Sequence, residues 1–164
     1  MKILEALQNP ETKLKWKLEG YWALLTLVVT FFSLYPILRK APQYQYVWLI
    51  VLFVVVSTTL FRYIFFLKYT PVSHQLFIKA GILTVSIPSF FLLIRAVNAF
   101  LTFADIQGIQ SQFEYMTAVD NENMTAYVKS VTLFFGTSAI LLTGALPFRM
   151  MVSIWRQYNK KGSI

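Results

Sequence analysis

Arg95 and Asn98 interrupt an apolar run, SFFLLIRAVNAF, at positions 89–100. An arginine stays charged at any physiological pH and offers five N–H donors, so its chemistry is the capture of a carboxylate, a phosphate or another anion. Being three apart, the two residues share a face if the run is helical. Thr84, Pro88, Thr102 and Asp105 extend that face at steps of three and four, with Phe91 filling the gap. The spacing predicts a polar stripe that faces protein or water rather than lipid. Two readings follow. In one, Arg95 and Asn98 hydrogen-bond carbonyls and hydroxyls of neighbouring helices or of a partner protein. In the other, the stripe lines an aqueous path and Arg95 attracts an anion. The expected anionic partners are Asp105, Glu114 or a carboxylate of another subunit.

Chemistry of other kinds is missing. There is no cysteine, hence no disulfide, thiol nucleophile or thiolate metal site. His74 is the only histidine and has no Asp or Glu nearby in sequence, which makes it a poor metal ligand or catalytic base. No P-loop, dinucleotide fingerprint, H-E-x-x-H or G-x-S-x-G is present. Asp105, Glu114, Asp120 and Glu122 lack EF-hand spacing and read as a solvated set. Asn123-Met124-Thr125 is a glycosylation sequon that matters only in a eukaryotic secretory host. The expectation is no catalytic residue, no metal and no cofactor.

The elements that must position the stripe are legible in composition. Hydrophobic residues make up 57% of the 164-residue chain and charged ones 13%, about half the usual share. The net charge of +8 is not a nucleic-acid signature, because the basic residues sit at the ends of apolar runs rather than on a soluble face. The fold class expected is an all-α integral membrane protein, a four-helix transmembrane bundle with spans 20–38, 46–67, 80–103 and 130–148. These runs are about twice the length of a membrane strand and do not alternate polar with apolar. Residues 1–19 form a cytoplasmic or interfacial N-terminal segment in which Asn9 caps and Pro10 opens the first helix. Residues 2–7 form a short interfacial turn, and no cleaved signal peptide is expected. Segments 39–45 and 68–79 are short outer and inner connections, and 149–164 is a basic cytoplasmic tail. The long outer loop, 104–129, carries Ile106, Ile109, Phe113 and Met116 at helical steps, which predicts a short interfacial helix.

Orientation follows from lysine and arginine. Lys2, Lys13, Lys15, Lys17, Lys68, Lys79, Arg149, Arg156, Lys160 and Lys161 fall on one side; Arg39, Lys40 and Lys129 fall on the other. Both termini are therefore expected inside, in a membrane of the bacterial inner (plasma) type. Trp16, Trp22, Tyr63, Tyr69 and Trp155 mark the inner interface; Tyr35, Tyr44, Tyr46, Trp48 and Tyr127 mark the outer one.

Depth separates the two arginines inside spans. Arg62 lies about 7.5 Å of helix from the inner end of its span, so its side chain is expected to snorkel to the headgroups. Arg95 lies roughly 12 Å from the outer end. At the centre of a span an arginine costs about 2.5–3.5 kcal/mol, which the thirteen Leu, Ile, Val and Phe residues of span three offset. No carboxylate lies within any of the four spans, so no ion pair internal to them is expected. Thr132, Gly136, Ala139 and Thr143 share a face of the fourth span and predict a helix-packing seam, against the third span. Thr26, Thr30 and Ser33 share a face of the first, where hydroxyls also bond their own backbone.

The function expected is non-catalytic: a small multi-pass subunit or accessory protein of a larger membrane complex. Its partners are the lipid bilayer and either other membrane subunits or copies of itself, with no nucleic acid. The alternative is a small oligomeric channel or transporter protomer with Arg95 on an anion-attracting path. A third reading, an enzyme acting on lipid headgroups, has only Glu114, Asp120 and Glu122 outside and His74 inside to draw on.

Overall fold

The computed structural model describes residues 10–161. Asn9, the 2–7 turn and the last three residues lie outside that range. Four long helices account for most of it, and there is no strand among the described residues. They are α1 (Pro10–Lys40), α2 (Val47–Phe65), α3 (Leu76–Phe103) and α4 (Ala118–Lys161). All four are long and apolar enough to cross a membrane. At 1.5 Å per residue, α1 is about 46 Å long and α4 about 66 Å, against a hydrocarbon core of about 30 Å. Both run well past the spans expected for them. The segment 118–129, expected as loop, is the first three turns of α4, and residues 149–161 of the basic tail are its last turns.

Local sequence explains the breaks. α1 stops after Lys40, and Pro42 prevents its continuation because it has no N–H to offer the preceding turn. Thr117 opens α4: its hydroxyl oxygen accepts the Asp120 N–H at 3.3 Å and its O–H donates to Asp120 Oδ2 at 3.1 Å. The first of these is an N-cap bond to a backbone N–H of the opening turn; the second fixes the Asp120 side chain beside it. The link from α2 to α3 is two 3-10 turns, Leu67–Tyr69 and Pro71–His74, hinged on a fully buried Thr70 whose hydroxyl donates to the Leu67 carbonyl.

The expected interfacial helix does not form. Residues Ala104–Gly108 are a π turn continuing α3, and Ile109–Phe113 is a 3-10 turn. Gly108 separates them with φ at 71°, a left-handed conformation that ends any regular helix and suits glycine. Ile106 points outward while Ile109 and Phe113 are buried, so the segment plugs into the bundle instead of lying on its surface. Phe113 stacks on Tyr44 with ring centroids 5.6 Å apart. Tyr44, expected at the outer interface, is therefore a core residue, and burial lifts its phenol above the ordinary range.

α4 is the hub. It packs along both α2 and α3, whereas α1 packs chiefly on α2. Three apolar clusters follow one another along the bundle. The first holds Ile37, Tyr44, Ile50, Phe100, Phe113 and Val128. Phe53, Leu93, Val97 and Ala139 form the second, and Leu67, Val72, Leu146 and Met150 the third. Where α2 and α3 part, they flank an aliphatic groove of about 650 Å³ floored by Thr143 and Leu146 of α4.

Candidate functional site

The stripe on α3 stays together but faces away from the bundle. The buried side of the helix carries Ser86, Leu93, Val97 and Phe100. Arg95 is two residues on from Leu93, about 200° round the helix, and so lies on the opposite side. Thr84, Pro88, Phe91, Arg95, Asn98, Thr102 and Asp105 are all exposed. Thr84 and Thr102 donate to carbonyls of their own helix, at Ala80 and Asn98. Arg95 has no hydrogen bond and no ion pair among the described residues. The in-chain partners expected for it do not meet it: Asp105 lies ten residues on, about 15 Å along the axis, and Glu114 lies beyond the π and 3-10 turns. From Leu93 to Phe103 the face that α3 turns to the rest of the bundle is apolar, with Ser86 and Lys79 buried nearer its start, and the stripe is not on that face.

Thr132, Gly136, Ala139 and Thr143 are all buried, and they meet two neighbours rather than α3 alone. A Cβ on Gly136 would stand 2.9 Å from Val97 Cγ2 of α3 and 3.1 Å from the Phe53 ring of α2. The missing side chain is what lets α2, α3 and α4 converge. Thr132 and Thr143 donate to Val128 and Ala139 carbonyls at 2.7 Å, which hides their hydroxyls within α4. On α1, Thr26 and Thr30 do the same to Trp22 and Thr26.

Arg62 is enclosed within its own chain. It is 4% exposed and its Nη2 lies 3.0 Å from Glu19 Oε1, whose side chain is 25% exposed. The contact is one of charge rather than an aligned hydrogen bond, since Glu19 Oε1 accepts none. Nη1 donates to the Leu18 carbonyl at 2.7 Å, and the guanidinium carbon sits 5.7 Å from the centre of the Trp22 ring. Trp22 in turn donates its Nε1–H to the Thr58 carbonyl at 3.1 Å. Together these contacts clamp α1 to α2. The carboxylate comes from one residue before the expected start of span one, which is why a search within the spans missed it. The available signal was a pair of opposite charges near the adjacent ends of two consecutive apolar helices.

The basic residues gather at one end. Lys15, Lys68, Lys79, Arg149 and Arg156 line one cavity of about 740 Å³, bounded by α1, the α2–α3 link, α3 and α4. No acidic residue lines it among the described residues. Lys79 is 1% exposed, and its Nζ donates to Gln157 Oε1 at 2.9 Å. Arg149 donates Nε–H to the Ile64 carbonyl at 2.8 Å. Residue counting placed these cations on one side of the membrane but not in one pocket. At the other end, Lys40 pairs with Asp120 at 2.8 Å and Tyr115 donates to the Lys40 carbonyl, joining the end of α1 to the start of α4.

The class these features define among the described residues is an all-helical chain of four apolar, membrane-length helices with an outward polar face around Arg95 and a cationic cavity at one end. The chain matches no protein-family model, no curated protein and no solved structure.

Proposed function

We propose that this chain is a non-catalytic small subunit or accessory protein of a larger membrane assembly, with both termini cytoplasmic in a plasma membrane of the bacterial inner type. The observation that carries the reading is Arg95: charged, near mid-span, turned outward, and without a partner among the described residues. Left in hydrocarbon it costs about 2.5–3.5 kcal/mol. A carboxylate or a set of carbonyls on a neighbouring helix removes that cost, and Asn98 and Thr102 beside it add hydrogen-bonding capacity. The partner is thus a membrane helix bearing an anionic or strongly accepting group at the same depth. The concentration of cations at the opposite end of the bundle supports an inward orientation for that end.

The test is gentle extraction of the tagged protein at native abundance, followed by mass and composition. Unrelated proteins in stoichiometric amount are expected with the wild type and absent with Arg95→Ala. The isolated variant should unfold at the wild-type temperature, because Arg95 has no hydrogen bond or ion pair among the described residues. A pure homo-oligomer that survives Arg95→Ala overturns the reading. A homo-oligomer arranged about the stripe is the second reading, favoured by the run of polar residues on a single outward face; its signature is anion flux in liposomes that Arg95→Ala abolishes.

A further inference from the structure

We propose that the cationic cavity at the inner end is a binding site for a phosphate-bearing anion, either a phospholipid headgroup or a soluble phosphate compound. Four cations, Lys68, Lys79, Arg149 and Arg156, converge on it beside Lys15, with no carboxylate among its described lining residues. Like charges so placed repel one another, and most of that repulsion is relieved by an anion in their midst. The decisive residue is Lys79. A lysine is almost never fully buried unless paired, yet this one is 1% exposed and its one partner is the neutral Gln157 amide. Two of its three donors remain uncommitted.

Arg149 is held for the same purpose. Its Nε–H is fixed on the Ile64 carbonyl, which sets the plane of the guanidinium and leaves both Nη groups without a partner in the described chain. Ser73 adds a hydroxyl whose oxygen is buried and unbonded. Lys68 and Arg156 stand exposed at the same cavity, where they attract an anion before it enters.

Size and surroundings refine the ligand. A cavity of about 740 Å³ holds more than a bare phosphate, so the anion carries an organic substituent. Leu14, Leu18 and Leu67 supply apolar wall for it. Trp16 and Trp155 are exposed on α1 and α4, whose cationic segments line the cavity, and this is the belt in which aromatic rings meet headgroups. Basic pockets between helices at a cytoplasmic surface take up such headgroups.

The experiment uses full-length protein, delipidated in neutral detergent and examined by native mass spectrometry and thermal unfolding. It is titrated separately with dioleoylphosphatidylglycerol, dioleoylphosphatidylcholine and inorganic phosphate. Saturable retention of phosphatidylglycerol over phosphatidylcholine assigns a headgroup ligand; a thermal shift with inorganic phosphate assigns a soluble one. Lys79→Met should weaken whichever binds by about tenfold, the value of one charge-assisted hydrogen bond. Should Lys79→Met fail to fold, the exposed double variant Lys68→Ala/Arg156→Gln carries the test with an expected loss of similar size. Lys13→Ala and Lys17→Ala, outside the cavity, should leave affinity within about twofold of wild type. Binding of neither anion, or equal binding by the cavity variants and the controls, overturns the proposal.

Discussion

Arg62 and Arg95 are the same side chain in two opposite circumstances. Arg62 is enclosed by a carboxylate, a carbonyl and an indole. Removing one member of a buried ion pair costs about 3–5 kcal/mol, and the partial exposure of Glu19 reduces that here to about 2–3 kcal/mol for Arg62→Ala. Chemical unfolding in detergent micelles checks the figure. Arg62→Lys should recover only part of the loss, since an ammonium cannot reach Leu18 and Glu19 together or lie flat on Trp22. Arg95→Ala should leave the same unfolding curve within about 0.5 kcal/mol of wild type, as expected of a residue without supporting contacts. A large effect on the isolated chain would show that Arg95 serves its own fold after all.

At the scale of the helices, glycines divide by what surrounds them. Gly136 faces Val97 and Phe53, both buried, and an added Cβ would require them to shift. Gly136→Ala should destabilise by about 1–2 kcal/mol, the overpacking cost less the helix-propensity gain. Gly81, by contrast, has nothing within 4 Å of a Cβ, so Gly81→Ala should stabilise α3 by about 0.5–1 kcal/mol. Gly108 also has open space, but its positive φ makes Gly108→Ala unfavourable by about 1 kcal/mol. Thermal unfolding of the three variants side by side separates packing from backbone conformation. Thr117→Ala should weaken the start of α4 by about 1 kcal/mol through loss of its cap, visible as faster amide exchange over residues 118–122.

Over the whole molecule, apolar surface points outward. Only 17% of the most apolar window of α1 and of α3 is buried, and 28% of that of α2 and α4. So large an exposed apolar area is untenable in water and ordinary in lipid, where helix association rests on van der Waals packing and polar contacts. The seam at Gly136 and the Arg62 clamp are contacts of those two kinds. The proposed orientation gives a direct prediction, helped by the absence of native cysteine. Lys129→Cys should react with a membrane-impermeant maleimide in intact cells, and Lys68→Cys only after the membrane is opened. The reverse pattern would invert the orientation and place the cationic cavity outside.

Helix number, helical character and the separation of cations were legible in the sequence, because length, apolar content and charge at run ends are local properties. The stripe on α3 and the small-residue face of α4 were legible for the same reason: helical periodicity alone makes Thr84, Arg95, Asn98 and Thr102 neighbours, and likewise Thr132, Gly136, Ala139 and Thr143. Which way a face turns is not local. That Arg95 looks outward while Arg62 is enclosed depends on α4 standing between α2 and α3 and on α1 flanking α2, which no single helix encodes. The extra helical turns at 118–129 and the collapse of the expected interfacial helix into the core at Ile109 and Phe113 rest on a cap at Thr117 and a positive φ at Gly108, paired with a receiving surface at Tyr44. The cationic cavity is the furthest from sequence: Lys15, Lys68, Lys79, Arg149 and Arg156 come from four separate segments, and only the tertiary fold brings them to one place.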